Sequence, residues 1–265
     1  MDLRLRGKTV LVTGGSKGIG FACADGFAAE GCRLHIAARN AADLEAARQR
    51  LMEQHRVEVV CHPCDLSRTD AVIALGRACG DVDILVNNAG SIPRARIDEV
   101  DSQGWRRAWD LKVFGYIDLT REIYAVMKAR GSGAIVNIIG VSGERHRAEF
   151  IAGTSGNASL MAFTRALGAE SVDYGVRIVG VNPGRVETER QLQHLEEAAQ
   201  KTLGDRSRWK EIRDRMVGGL PFKRSARPDE VGDLVVFLAS ERASYMSATV
   251  VTMDAGQSLR ARAEV

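Results

Sequence analysis

The chain of 265 residues has no apolar run near the roughly 20 residues that a membrane-spanning helix needs, and no secretory leader stands ahead of its first apolar segment. It has no block of like charge. Lys and Arg number 37 against 34 Asp and Glu, a net charge of +3, so no long-range basic field calls for nucleic acid. The short runs Glu144-Arg145-His146-Arg147 and Arg260-Ala261-Arg262 read as solvated faces. Cys61-His62-Pro63-Cys64 has the spacing of a redox or metal pair, but no second ligand pair accompanies it. It lies at the end of an expected strand, so buried structural thiols are the reading and no metal site is expected. No linker or break in composition appears, and one domain over 1–265 in the cytosol is expected. At 45% hydrophobic and 27% charged residues, a chain of this length can bury a substantial core.

What is present is an alternation of strand and helix patterns. Apolar runs at 8–13, 34–38, 57–61, 83–87, 134–139, 177–181 and 249–253 read as about seven strands. Between them, helical spacing covers 21–30, 41–54, 67–79, 111–130, 155–173, 188–216 and 229–240, with Gly31 closing the first helix. Repeated β-α-β units imply an α/β fold of the Rossmann type, a doubly wound parallel sheet with helices on both faces.

Thr13-Gly14-Gly15-Ser16-Lys17-Gly18-Ile19-Gly20 follows the first strand and opens the first helix. Glycines at 14, 18 and 20 let the backbone turn tightly, approach a pyrophosphate and pack the helix on the sheet. The helix N-terminus then offers free N–H groups to the anion, which points to a dinucleotide.

With Asn87-Asn88-Ala89-Gly90, Asp65-Leu66, Asn182-Pro183-Gly184 followed by Thr188, and Met253-Asp254-Ala255-Gly256, this loop resembles the short-chain dehydrogenase/reductase family from about residue 5 to residue 258. The resemblance implies cofactor contacts from Gly14, Ser16, Lys17, Gly18, Ile19 and Gly20 in the loop, and from Arg39 and Asn40 after the second strand. It adds Asp65 and Leu66, then Asn88, Ala89 and Gly90, and on the nicotinamide side Pro183, Gly184, Val186 and Thr188. The second strand ends Ala37-Ala38-Arg39-Asn40, without the acid that usually meets a free ribose hydroxyl. Arg39, with Lys17 as a second cation by resemblance to NADP-preferring members, favours NADP(H) over NAD(H).

The same resemblance implies a reaction centre that this chain lacks. Family members that reduce ketones use a Tyr-x-x-x-Lys pair, an upstream Ser and an Asn on the preceding long helix. Here Gly140 stands at the Ser position, Gly153 at the Tyr, Asn157 at the Lys and Lys112 at the Asn. No tyrosine lies between Tyr124 and Tyr174, so a small shift of register cannot restore the pair. Glycine at both oxygen-bearing positions predicts a roomier, less polar pocket floor. A positioned acid or base is typically worth about 10²–10⁴-fold, so ordinary carbonyl reduction should suffer accordingly. Lys and Asn have exchanged places, and Lys112 with Asn157 is expected to anchor the ribose and hold the charge of the site; the alternative is a helix lysine extended to solvent. Ser142 and His146 are further candidates for the proton, alongside Thr154 and Ser155, though Ser155 reads as a helix N-cap.

The segment 185–220, where the family places a substrate lid, is rich in charge, with Trp209 and Met216 as expected apolar anchors. Two functions remain open. One is an NADP(H)-dependent oxidoreductase with a non-standard active site, acting on a small carbonyl or alcohol. The other is a non-redox protein on the same scaffold, either a cofactor-binding regulatory or structural subunit or a lyase-type proton-transfer enzyme. A small-molecule substrate is expected, with neither nucleic acid nor membrane as partner. The resemblance implies a homo-oligomer, dimer or tetramer, through the two long helices. Small residues among Ala152-Gly153, Gly156, Ala158, Ala162, Ala166 and Gly168-Ala169 suit either that interface or packing within the chain.

Overall fold

Seven strands form one sheet in the computed structural model, which describes residues 1–260; Ala261 and Arg262 of the basic tail lie outside the described residues. They are β1 (Thr9–Thr13), β2 (Arg33–Ala38), β3 (Val59–Pro63), β4 (Ile84–Asn87), β5 (Gly133–Ile138), β6 (Val176–Pro183) and β7 (Val250–Met253). The order is β3-β2-β1-β4-β5-β6-β7, every pair parallel, as the repeating pattern predicts. The chain winds outward from β1 to β3, then returns to β4 and winds the other way. That reversal leaves a crevice beyond the carboxyl ends of β1 and β4, where the connecting helices part.

Strand alternation divides the core. Val10 and Val12 point into one apolar layer, against Cys23, Phe27 and Val235 of α1 (Gly18–Ala29) and α9 (Pro228–Ala239). Leu11 points into the other, against Leu75, Leu119, Ile123 and Met127 of α3 (Thr69–Ala78) and α5 (Gly115–Arg130). Both faces being buried explains why these strands read as unbroken apolar runs. α2 (Ala41–His55) covers the edge near β3.

Three segments depart from the sequence expectation, all near the crevice. The expected helix over 111–130 is instead α4 (Ser102–Trp109), a π turn over Asp110–Phe114, and then α5. The widened turn closes with the Gly115 N–H on the Asp110 carbonyl, where a Cβ on Gly115 would come 2.9 Å from the Leu66 carbonyl oxygen. α6 (Ile151–Ser171) begins four residues before Ser155, whose hydroxyl donates to the Ile151 carbonyl at 2.9 Å; Ser155 lies inside the helix and is not its N-cap. The segment 188–216 is two helices, α7 (Glu189–Leu203) and α8 (Trp209–Gly218), parted at Gly204 with φ +73°. Its buried anchors are Leu195 and Ala199 of α7, while Trp209 and Met216 stay part-exposed.

Two glycines of α6 serve packing within the chain. A Cβ on Gly168 would come 2.7 Å from the Ala248 nitrogen and the Ile178 carbonyl oxygen, and one on Gly156 would come 3.1 Å from Val113. Ala162, Ala166 and Ala169 remain exposed. Among the described residues no helix is long and apolar enough to cross a membrane.

Candidate active site

The glycine loop is held from below. Asn88 Nδ2 donates to the carbonyls of Thr13 (2.9 Å) and Gly14 (3.3 Å), while Thr13 Oγ1 accepts from the N–H groups of Asn88 and Ala89. Gly14 has φ +64° and Gly18 φ +56°, conformations that favour glycine. A Cβ on Gly20 would run into the Gly14 carbonyl oxygen, so Gly20 allows the helix to pack on the loop rather than touching a ligand. Lys17, at the N-cap of α1, makes no side-chain cap, which leaves the first-turn N–H groups open to an anion.

Gly14, Lys17, Gly18, Asn88 and Ala89 line a cleft of about 490 Å³. Most of the cofactor residues expected from the sequence line it; Gly20, Asp65, Pro183, Gly184 and Val186 do not. Pro183 and Gly184 line the adjoining cleft instead. The Asp65 carboxylate accepts from the Ser67 N–H and hydroxyl, closing a turn. The Val186 side chain is buried in the core and its backbone pairs with Ala226.

The helix after β2 brings an acid, Asp43, to the cleft. Lys17 Nζ lies 3.2 Å from Asp43 and 3.5 Å from Glu189, so the loop cation is already countered. Asn40 is engaged as the N-cap of α2, its Oδ1 accepting from the Asp43 N–H at 3.1 Å. Arg39 is exposed on the cleft wall and has no ion-pair partner among the described residues. The Cys61 to Cys64 thiols are free and only part-buried, and burial pushes Cys64 up to about 11. His62, between them, meets His35 at 2.8 Å and Cys79 at 3.5 Å, and all three ligand atoms lie within 4.8 Å of one another. The 2.8 Å separation is that of a hydrogen bond, and the trio satisfies itself.

A second cleft, of about 340 Å³, shares the walls Ile19, Asn88, Gly90, Ser91 and Arg190 with the first. Lys112, in the middle of the π turn, crosses the end of β5 into it. Its Nζ donates to the carbonyls of Ile138 (2.9 Å) and Ile139 (3.0 Å) and sits 5.2 Å from the Tyr116 ring centroid. Gly90 leaves room for its stem, since a Cβ there would strike Lys112 Cδ. The lysine does not extend to solvent. Burial, and secondarily Arg190, pull its ammonium down to about 7.

Asn157 lies over Gly140. Its Nδ2 donates to Ser142 Oγ at 2.7 Å and would be 3.0 Å from a Cβ on Gly140, whose φ of +135° is itself a glycine conformation. Asn157 Oδ1 is buried and has no hydrogen-bond partner among the described residues. A serine at position 140 would therefore face both a backbone penalty and this amide. Gly153 does not open the floor as expected: the Phe150 ring lies across it, where a Cβ would collide with the ring. The vacated tyrosine position is thus filled by an apolar ring that lines the cleft.

Lys112, Asn157 and Ser142 come together in this cleft, and His146 does not. His146 is exposed, points its ring at the Gly143 carbonyl (3.1 Å) and is absent from the lining. Thr154 bonds to the Arg147 backbone. The run around His146 is not a solvated face, because Arg145 and Arg147 turn into the cleft beside Arg94, Arg185 and Arg190. His194, from α7, also lines it. The only local signal for these residues was basic side chains two apart just beyond a strand end.

The short chain dehydrogenase family model matches residues 8–199. Galactitol 2-dehydrogenase (L-tagatose-forming) of Cereibacter sphaeroides is 33% identical over 255 residues, 96% of each chain. D-xylose 1-dehydrogenase of Caulobacter vibrioides is 31% identical over 257 residues, 95% of this chain and 96% of that one. The crystal structure of L-sorbose reductase from Gluconobacter frateurii, in complex with NADPH and L-sorbose, superposes with a TM-score of 0.91 at 32% identity, covering 97% of this chain and 98% of that one. With the glycine loop, the sheet order and these likenesses in agreement, the chain belongs to the short-chain dehydrogenase/reductase family of oxidoreductases.

Proposed function

We propose that the protein is an NADP(H)-dependent oxidoreductase of a small carbonyl or alcohol in which Lys112 takes over the proton carried elsewhere in the family by tyrosine. One observation carries the reading: an amine fixed at the cleft by two backbone carbonyls and brought down to about 7. A neutral amine has two N–H groups, both spent on Ile138 and Ile139, and its remaining lone pair can take a proton. The ammonium form has a third N–H to donate. A group titrating near neutral pH suits general acid–base work in both directions. Ser142, whose oxygen accepts from Asn157, keeps its own proton to offer a substrate oxygen.

The residues fit a dinucleotide. The glycine turns, the uncapped start of α1 and the leftover polar atom of Asn157 suit a diphosphate and a ribose hydroxyl. A bound nicotinamide supplies or accepts the hydride. Arg39, unpaired on the wall, favours a 2′-phosphate, and the NADPH-bound L-sorbose reductase supports the same choice. Lys17, countered by two carboxylates, contributes less. Arg39→Ala is expected to raise the KM for NADPH about 10- to 100-fold, the worth of charge-assisted hydrogen bonds, and to leave that for NADH nearly unchanged. Equal changes for both cofactors in steady-state kinetics would remove this assignment.

The non-redox alternative draws no support from relatives that are dehydrogenases and reductases. A cytosolic single-domain protein, a lid over 185–220 and a homo-oligomer remain part of the proposal. α7 supports the lid by bringing Arg190 and His194 to the cleft, and the exposed Ala162, Ala166 and Ala169 on α6 support a helix-mediated interface. The reading is tested by incubating the protein with 4-deuterated NADPH and a panel of carbonyls. Deuterium is expected in an alcohol product. Tight NADPH binding with no label transferred to any member would instead support the non-redox class.

A further inference from the structure

The substrate side of the cleft is far more basic than the chain that builds it. Six basic side chains line it, Arg94, Lys112, Arg145, Arg147, Arg185 and Arg190, against two carboxylates, Glu149 and Asp254. The whole chain is close to balance at 37 against 34. Asp254 is already committed, its two oxygens accepting from the N–H groups of Gly256 and Ser258. Glu149 is exposed and, like Arg147, already has an interaction of its own, which leaves Arg185 and Arg145 as the groups to be met. The cations come from four separate segments: the loop after β4, the π turn, the loop after β5, and the stretch from β6 into α7.

Arg185 is the centre of this group. It follows Gly184 at the end of β6, is part-buried, and its side chain has no hydrogen-bond or ion-pair partner among the described residues. Burial first, then the neighbouring Arg94, Arg147 and Arg145, hold its guanidinium below its ordinary range, so these four charges feel one another. Arg145 is steadied by a bond from Nη1 to the Gln257 carbonyl, which leaves its other donors free. Buried guanidinium groups are normally paired, and convergent ones in a partly desolvated wall repel unless an anion arrives. A guanidinium fork also matches the two oxygens of a carboxylate or phosphate.

We infer that this cleft takes a substrate carrying an anionic group, a carboxylate or a phosphate, held by Arg185 and Arg145, with Arg94 and Arg147 adding to the field. The inference rests on reading the cleft as the substrate side of an oxidoreductase. It separates this chain from the relatives named above, whose sugars and polyols are uncharged. The anion is gripped at the Arg185 end, while Lys112 packs against Gly90 of the wall shared with the nucleotide cleft, so the substrate carries its charge away from the carbon that reacts.

The test uses intact protein saturated with NADP⁺, so that the nucleotide's own phosphate sites are filled. Malonate and inorganic phosphate are titrated by calorimetry, with malonamide as the uncharged match for malonate. Binding of malonate, phosphate or both is expected at least 10-fold tighter than binding of malonamide; which of the two wins identifies the group as carboxylate or phosphoryl. Arg185→Gln should weaken it 10-fold or more, and Arg185→Gln with Arg145→Gln should abolish it. Arg77→Gln, an exposed arginine of α3 that lines neither cleft, should change nothing, and the NADP⁺ Kd should hold within about twofold in all variants. Equal affinity for malonamide, or anion binding that survives the double substitution, would overturn the inference. If NADP⁺ itself fails to bind, the oxidoreductase reading falls separately, and the same charge preference is then sought in the free protein.

Discussion

Lys112→Met is expected to slow hydride transfer about 10²- to 10⁴-fold, the usual worth of a positioned acid or base. The limb of the pH–rate profile near pH 7 should vanish with it. The variant loses two hydrogen bonds to Ile138 and Ile139, although Ile138 keeps the Tyr116 hydroxyl at 2.9 Å. About 1–3 kcal/mol of stability should go with the orphaned carbonyl. Lys112→Gln, which retains donors but cannot titrate, separates proton transfer from packing and should be equally slow. The titration also leaves a mark on folding. With a folded pKa of about 7 and an ordinary value of 10.5, the unfolded chain holds one more proton than the folded chain between those limits. Stability attributable to this group must therefore rise with pH across that window, by at most roughly 1.4 kcal/mol per pH unit, and level off outside it. Denaturant unfolding at pH 7 to 10 should show the slope in the parent and its loss in both variants. Turnover and pH profiles that match the parent would exclude Lys112 as the proton carrier.

Gly20→Ala should be the most damaging change beneath the glycine loop. The added carbon meets the Gly14 carbonyl oxygen, lies 2.7 Å from the Gly14 carbonyl carbon, and crowds Asn88 Nδ2. Two of these three are backbone atoms, and the third is the amide that holds the loop by two hydrogen bonds. Nothing there is the free end of a flexible side chain. Overpacking of this kind costs about 1–3 kcal/mol, and a displaced loop should weaken NADP(H) at least 10-fold. Gly218→Ala, where a Cβ would meet nothing within 4 Å, is the control and should be neutral. A melting temperature and cofactor Kd for Gly20→Ala equal to those of the control would show that the loop accommodates the added carbon and that the close packing is not required.

Much of this was legible before any coordinates. The glycine loop, Asn87-Asn88-Ala89-Gly90 and the alternating strands are local signals, because a tight turn or a buried strand restricts which residues can stand at each position. The exchange of Lys112 and Asn157 was implied by the family resemblance, and both reach the same cleft. Other readings failed where a side chain's direction depends on distant backbone. Arg145 and Arg147 turn inward because the chain after β5 bends at Gly140, whose N–H donates to Asn182 on the neighbouring strand at 3.2 Å. Phe150 covers Gly153 because α6 starts at Ile151, earlier than its glycines and hydroxyls indicated. Asp43 reaches Lys17 across two connections, which no reading of the β2 end alone could detect.

By itself, the order of residues determined the parallel doubly wound sheet, the glycine loop proposed to hold a dinucleotide and, through the family resemblance, the glycines where that family carries serine and tyrosine. Periodicity and glycine spacing act over a few residues, and a few residues suffice to encode them. Only the folded chain decided which charges share a cavity. Arg94, Arg145, Arg147 and Arg185 are separated by as many as 91 positions in sequence, yet they face one another across one cleft. Their mutual field, like the lowered proton affinity of Lys112, depends on separation and on the loss of surrounding water, and packing sets both.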